Sequence, residues 1–268
     1  MNELKRILRK TNVKQVGEYY CLDEAHLMES AERYRQSEKF WKKVGRSLWV
    51  FANVPFVKMV MVSNTLAYDY VTNDSDIDIF TVAAKDRVWT VRAFLLTYLS
   101  LFGIRASRRH KRMRFSPEIL VDETAIDLSP SALAEDYLTH YFIADLVPIW
   151  GADYFNEFWA ANRWIRNKLP VAYRSPNLKD GFDAKSKSSL FVWALEKMLG
   201  GRFGDRVEMW ARRRQQRTID RAVVRLGVDP NVIKERHVIE THYCGRRVEL
   251  RDNIEEFLAL DEKEFIKV

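Results

Sequence analysis

The chain has 268 residues, is 47% hydrophobic and 13% aromatic, and contains only 10 glycines and 7 prolines. That composition supports the core of one large domain or two modest ones, and it excludes a disordered chain or a loop-rich all-β one. Lysine and arginine total 44 against 37 acids, a net charge of +7; this fits a polyanionic partner such as a nucleotide or RNA, and equally a merely basic surface.

Two cysteines, Cys21 and Cys244, supply no disulfide framework and suggest a reducing cytoplasm. The opening MNELKRILRK lacks the apolar stretch of a secretory signal. Lys58 and Arg92 interrupt the most apolar windows, so no transmembrane helix is expected.

Four regions follow one another along the chain. Residues 1–53 read as mainly helical, with Asp23 to Trp49 rich in Glu, Lys, Arg and Ala at helical spacing and Pro55 ending the pattern. Residues 54–128 alternate strand and helix and form the expected core. VKMVMV (57–62) is a buried strand, DIDIFTV (76–82) a second, and 86–102 a helix with Asp86 near its start and Gly103 just past its end. FSPEILV (115–121) is a third strand, which Pro117 restricts to an edge or a bulge.

Residues 129–170 read as a helical extension: one helix over SALAEDYLTHYFIADLVPIW, broken near Pro148, and another over DYFNEFWAANRWIRNKLP. Residues 171–187 are polar and contain Pro and Gly, the best linker of the chain. The region 171–268 is mainly helical after that linker, with a mixed tail. The fold class is therefore α/β (α+β), a small mixed sheet flanked by N- and C-terminal helices.

The informative segment is VSNTLAYDYVTNDSDIDIF (62–80). Asp76 and Asp78 lie two residues apart on a strand, so both carboxylates point to one face while Ile77 and Ile79 point to the other. Carboxylates on one face repel unless a cation lies between them. An oxygen-rich site of this kind suits Mg²⁺ (or Mn²⁺), whose shell substrate phosphates and water complete. Ser63, Asn64 and Thr65, at the end of the preceding strand, offer backbone N–H groups and hydroxyls to a phosphate. Taken alone, a pair of aspartates is a solvated strand edge and Ser-Asn-Thr a turn. The apolar strand around the pair, and the strand and turn before it, favour the metal reading.

An apolar strand, a small-residue turn, about eleven residues and then Asp-x-Asp on a second strand: this order resembles the nucleotidyltransferases of the DNA polymerase beta superfamily. PFVKMVMVSNTLA (55–67) and SDIDIF (75–80) resemble more closely a prokaryotic family with such a domain, and the likeness extends over roughly residues 40–170 through RVWTVRAFLL, DLVPIW and AANRWI. The resemblance implies transfer of a nucleotide from an NTP such as ATP, with Asp76 and Asp78 as metal ligands and Ser63, Asn64 and Thr65 at the nucleotide's phosphates. It also implies a third carboxylate from a later strand; Glu118, the only acid inside FSPEILV, is the first choice and Asp122 and Asp127 the next. Asn64 and Thr65 depart from the family's Gly-Ser. Asn tolerates a left-handed backbone best among non-glycine residues, yet its side chain crowds a phosphate that glycine admits. Two functions therefore stand open: an active enzyme, or a nucleotide- or RNA-binding descendant that keeps the fold.

Basic clustering adds to this. Residues 105–114 hold six Lys/Arg and no acid; Arg108, Arg109, Lys111 and Arg112 are either a solvated loop or a polyanion-binding segment. Arg214, Arg217 and Arg221 share one helical face farther on. His237, His242 and Cys244 do not have zinc-site spacing. The acceptor, whether RNA, protein or small molecule, is not legible in the sequence, and neither is the NTP.

Overall fold

In the computed structural model, the described residues are 14–16, 19–21, 24–107, 109–133, 137–170, 172, 182, 189–226, 233–240 and 252–253. Arg108, His242, Cys244 and nearly all of the expected linker 171–187 lie outside them.

A short antiparallel pair, β1 (Lys14–Val16) and β2 (Tyr19–Cys21), precedes the long helix α1 (Glu24–Ala52). β3 (Val57–Val62) leads into a single turn, α2 (Asn64–Ala67), and then β4 (Ile77–Ala83). α3 (Val88–Leu101) crosses over to β5 (Phe115–Asp122). α4 (Tyr137–Ala144), β6 (Val147–Trp150) and α5 (Phe155–Ala161) follow, then α6 (Leu190–Met198), α7 (Gly201–Leu226), β7 (Ile233–Lys234) and β8 (Val238–Glu240). One six-stranded mixed sheet runs in the order β6-β3-β4-β5-β8-β7. Only the β4–β5 pair is parallel, and α3 makes its crossover.

The sheet is buried on both faces, which is why β3 and β4 read as continuous apolar runs. On one face Val60, Val62, Ile77 and Ile79 pack against Phe40, Val44 and Phe51 of α1 and Val91, Leu95 and Leu99 of α3. On the other, Met59, Met61, Phe80 and Val82 pack against Ile143 of α4 and Phe155, Phe158 and Trp159 of α5. Each such fully buried side chain contributes about 1.5–3 kcal/mol. Helices on both faces of a sheet make an α/β architecture.

The structure departs from the sequence reading in three places. The pair β1–β2 lies within the region read as mainly helical. LVPIW is no part of a helix: β6 is the sheet's edge strand and pairs antiparallel with β3, Val62 opposite Val147 and Met61 opposite Pro148. An edge position tolerates Pro148. The second expected helix, 153–170, breaks at Asn162. The Asn162 amide donates to the carbonyls of Phe158 and Ile126, while its oxygen accepts from Leu128 N–H, so it serves a neighbouring loop in competition with the helix. β5 takes the bulge alternative of the sequence reading: β8 covers Ile119–Val121, so the strand is interior, and Pro117 sits where β5 has no β8 partner and where its pairing with β4 is bulged.

Two glycines are placed by need. Gly103 takes φ +65° just past α3, the left-handed C-terminal position that favours glycine. Gly151 (φ +67°) ends β6 so close to β3 that a Cβ there would lie 1.9 Å from the Lys58 carbonyl oxygen.

Candidate functional site

β3 ends, and β4 and β5 begin, at the same end of the sheet. The Ser63 N–H donates to the Asp78 carbonyl (3.0 Å), which docks the turn after β3 onto the start of β4. Asp78 lies opposite Ser116, and Ile79 opposite Pro117; the next pair is Phe80 with Ile119. Glu118 is therefore the extra residue of a β-bulge. Without that bulge Glu118 would pair with Phe80. With it, Glu118 comes within electrostatic and hydrogen-bonding reach of Asp78. The Ile77 N–H to Arg114 carbonyl bond (2.8 Å) and the Met113 N–H to Ser75 carbonyl bond (3.0 Å) tie the end of the basic segment alongside Asp76.

Three carboxylates thus converge. Burial, then the charges of Glu118 and Asp76, push the Asp78 carboxyl up from 3.8 to about 8, despite the bond it accepts from Asn64. Burial, then the Glu118 charge, also raises Asp76, while Lys111 acts in the opposite sense. Asp78 Oδ1 is buried and receives no hydrogen bond. An orphaned buried carboxylate oxygen is costly, and here like charges add to the cost. Oxygen donors with no internal cation among them are the kind a hard divalent ion prefers, but the ligand atoms of Asp76, Asp78 and Glu118 do not all lie within 4.8 Å of one another.

Asn64 is the part the sequence reading foresaw only by half. Its backbone does take the left-handed conformation, φ 55°. Its side chain, however, turns toward the carboxylates: Nδ2 donates to Asp78 Oδ2 at 2.9 Å and to Glu118 Oε2 at 3.3 Å. A neutral amide thus bridges two of the three carboxylates. Ser63 is buried and its N–H is committed to Asp78, so it has no free amide for a phosphate, whereas Thr65 is exposed. Arg109, Lys111 and Arg112 are exposed, and the Lys111 charge reaches Asp76.

The two alternative third carboxylates lie elsewhere. Asp127 is an exposed turn residue whose Oδ1 accepts from Ser129 N–H. Asp122 is at the other end of β5, beside Ala83, roughly 13–17 Å from Glu118 and Asp78 along the strands. There Asp86, Asp122 and His237 bring ligand atoms within 4.8 Å of one another, a grouping the sequence did not signal because its members are distant in the chain. Asp122 Oδ1 accepts from the N–H and hydroxyl of Thr124, and Oδ2 from the Asp86 N–H (3.0 Å) and His237 Nδ1 (2.6 Å). Arg236 Nε meets Asp86 Oδ1 at 2.8 Å. Both oxygens of Asp122 are used; Asp86 Oδ1 is buried and accepts no hydrogen bond, with Arg236 at ion-pair distance. This group joins β5, the start of α3 and the residues before β8.

α7 carries Arg213, Arg214, Arg217 and Arg221 on its exposed side. Its inner side buries Ala211 and Ile219. Glu208 accepts from the N–H groups of Trp89 and Thr90 (both 2.8 Å) and so caps α3 from a distant segment. Among the described residues no helix is long and apolar enough to cross a membrane. Comparison of the chain with protein-family models, with curated proteins and with solved structures returns no match.

Proposed function

We propose that the chain is a Mg²⁺-dependent nucleotidyltransferase that moves an NMP from an NTP to an acceptor hydroxyl, phosphate or amine. The observation that carries this reading is the convergence of Asp76, Asp78 and Glu118, with an orphaned buried oxygen on Asp78, at the strand ends beside a small-residue turn. The order of strand, turn and Asp-x-Asp agrees with the family resemblance. Asp76, Asp78 and Glu118 would hold the metal. Mg²⁺ bound there would neutralise the triphosphate and polarise its α-phosphorus.

The chain's own residues have the complementary tasks. The turn at Asn64–Thr65 limits how closely the phosphates approach, and Thr65 offers its hydroxyl. Lys111, whose charge reaches Asp76, and the exposed Arg109 and Arg112 near it in sequence would draw a polyanion toward the cluster. In the reaction a bond forms between the acceptor oxygen or nitrogen and the α-phosphorus, the bond to the bridging oxygen breaks, and pyrophosphate leaves. The acceptor's proton passes to a carboxylate of the cluster or to water.

The bond from Asn64 to Asp78 and Glu118 favours a second reading, in which the amide substitutes for the cation and the site binds nucleotide without turnover. One experiment separates the two. NTPs labelled at the α-phosphate are incubated with the protein, Mg²⁺ or Mn²⁺ and cellular RNA or protein, beside an Asp76→Asn/Asp78→Asn double variant. Label transferred only by the wild type supports the enzyme. Equal transfer by the double variant overturns the assignment. Metal-dependent NTP binding without transfer, converted to transfer by Asn64→Gly, supports the second.

A further inference from the structure

The cluster accounts for a triphosphate but leaves the nucleoside without a seat. The register of the sheet locates one. β6 lies on the far side of β3 from β4, and its first residue, Val147, pairs with Val62, one residue before Ser63. Asp145, two residues earlier, is therefore at the same sheet end as Asn64. α2 is a single turn of 4 residues that ends on Tyr68, which puts Tyr68 roughly 6 Å along that turn from Asn64. The register and the short turn place both residues at this sheet end, and the Asp145 charge reaches the Tyr68 hydroxyl, which burial first and that charge second raise.

Among the described residues neither side chain has a hydrogen-bond, ion-pair or ring partner. Tyr68 is 48% exposed, and among the described residues no ring, cation or hydrogen-bonding group covers it. Tyr70, close by in sequence and equally open, is different: the Arg33 guanidinium lies 4.1 Å from its ring centroid and covers one face. Asp145 is half-buried with no cation or donor to its carboxylate among the described residues, and burial raises it. A half-exposed aromatic ring near a partly exposed carboxylate offers what a flat heterocycle on a polar sugar requires.

We propose that Tyr68 and Asp145 form the nucleoside subsite of this centre, Tyr68 stacking the base and Asp145 accepting a hydrogen bond from an O–H or N–H of the nucleoside. This rests on the reading of the carboxylate cluster as an NTP site. The test compares binding of Mg²⁺-ATP and of Mg²⁺-tripolyphosphate, which carries the same phosphates and no nucleoside. Tyr68→Leu keeps the apolar bulk and removes the flat ring. It should weaken ATP about ten-fold, the loss of one base–aromatic stack, and leave tripolyphosphate unchanged; Tyr68→Phe should bind both as the wild type does. Asp145→Ala should also weaken ATP alone. If Asp145 acted only as a charge, its removal would tighten both ligands, since both are polyanions. Unchanged ATP affinity in Tyr68→Leu, an equal loss for both ligands, or tightening of both by Asp145→Ala overturns the subsite. Failure of the wild type to bind either ligand overturns the NTP site itself, so the two failures are distinguishable.

Discussion

Asp78→Asn should stabilise the metal-free protein while removing its response to Mg²⁺. Burial and the neighbouring charges of Glu118 and Asp76 lift the Asp78 carboxyl from 3.8 to about 8. A carboxyl raised on folding binds its proton more tightly in the native state than in the unfolded one. Stability is therefore highest below the ordinary carboxyl value and falls as pH rises through the window from 3.8 to about 8, beyond which it levels off. At pH 7 the interval above 3.8 is about three pH units; at ~1.36 kcal/mol each, the penalty has an upper bound of about 4 kcal/mol. Asparagine keeps the shape and an acceptor oxygen for Asn64 and carries no charge to bury. As a neutral acceptor it holds the Asn64 bond more weakly, which offsets part of the gain, so a net gain of about 1–4 kcal/mol is expected near pH 7, a rise of several degrees in Tm. The gain should shrink toward zero near pH 4. Mg²⁺ should act in the opposite sense: at a hundred times its Kd it adds about 2.7 kcal/mol to the wild type and nothing to the variant. The assay is thermal unfolding of both proteins from pH 4 to 8.5, with chelator and with Mg²⁺. A variant less stable than the wild type at pH 8 in chelator, or an advantage that does not change with pH, would refute the reasoning.

Asn64→Gly removes the donor to Asp78 and Glu118 while relaxing a residue at φ 55°, so Mg²⁺ and NTP affinity should both rise, read by calorimetric titration; weaker binding would mean that the amide contacts the ligand. Asn64→Ala keeps the strain and removes the hydrogen bonds, and should cost about 2 kcal/mol in chemical denaturation. Glu208→Ala uncaps α3 and should cost about 1–2 kcal/mol with nucleotide affinity unchanged. If the acceptor is RNA, changing Arg108, Arg109, Lys111 and Arg112 to Ala should flatten the salt dependence of RNA binding by about 0.7 in log–log slope for each phosphate that is no longer neutralised; an unchanged slope removes this segment from the interface.

What the sequence revealed follows from which interactions are local. β3 and β4 were legible because both faces are buried, and the shared direction of Asp76 and Asp78 needed only the two-residue period of a strand. β6 was not legible. LVPIW has no alternation, follows a helical run without punctuation and contains a proline, and only pairing with β3 makes it a strand. The break at Asn162 has the same origin, since Ile126 and Leu128, distant in sequence, recruit its side chain. Glu118 was selected as the only acid in its strand, but the bulge that delivers it to Asp78 depends on the pairing of β5 with β4. Asn64 was read correctly in its backbone and incompletely in its side chain, because its partner Glu118 lies 54 residues away.

The two ends of the sheet set aspartates in opposite electrostatic surroundings. Asp122 and Asp78 are both aspartates on adjacent strands, and burial pushes both upward. At Asp122 four donated hydrogen bonds, from Thr124, His237 and the Asp86 backbone, outweigh burial and hold the carboxyl below its ordinary value. Its contribution to stability is present above 3.8 and is lost as pH falls through the lowered value. Asp78 has a single amide donor, two acidic neighbours and an orphaned oxygen, and its contribution has the opposite sign. Protonation relieves the first site of nothing and the second of its repulsion; a divalent cation would do the same for Asp78 with greater effect, because it answers three carboxylates at once. Asp122→Ala, accordingly, should cost about 3 kcal/mol or more by stranding its donors and leave Mg²⁺ binding intact in the folded protein. Asp78→Asn should do the reverse on both counts. A destabilised Asp78→Asn together with a tolerated Asp122→Ala would show that the roles of the two sheet ends had been exchanged.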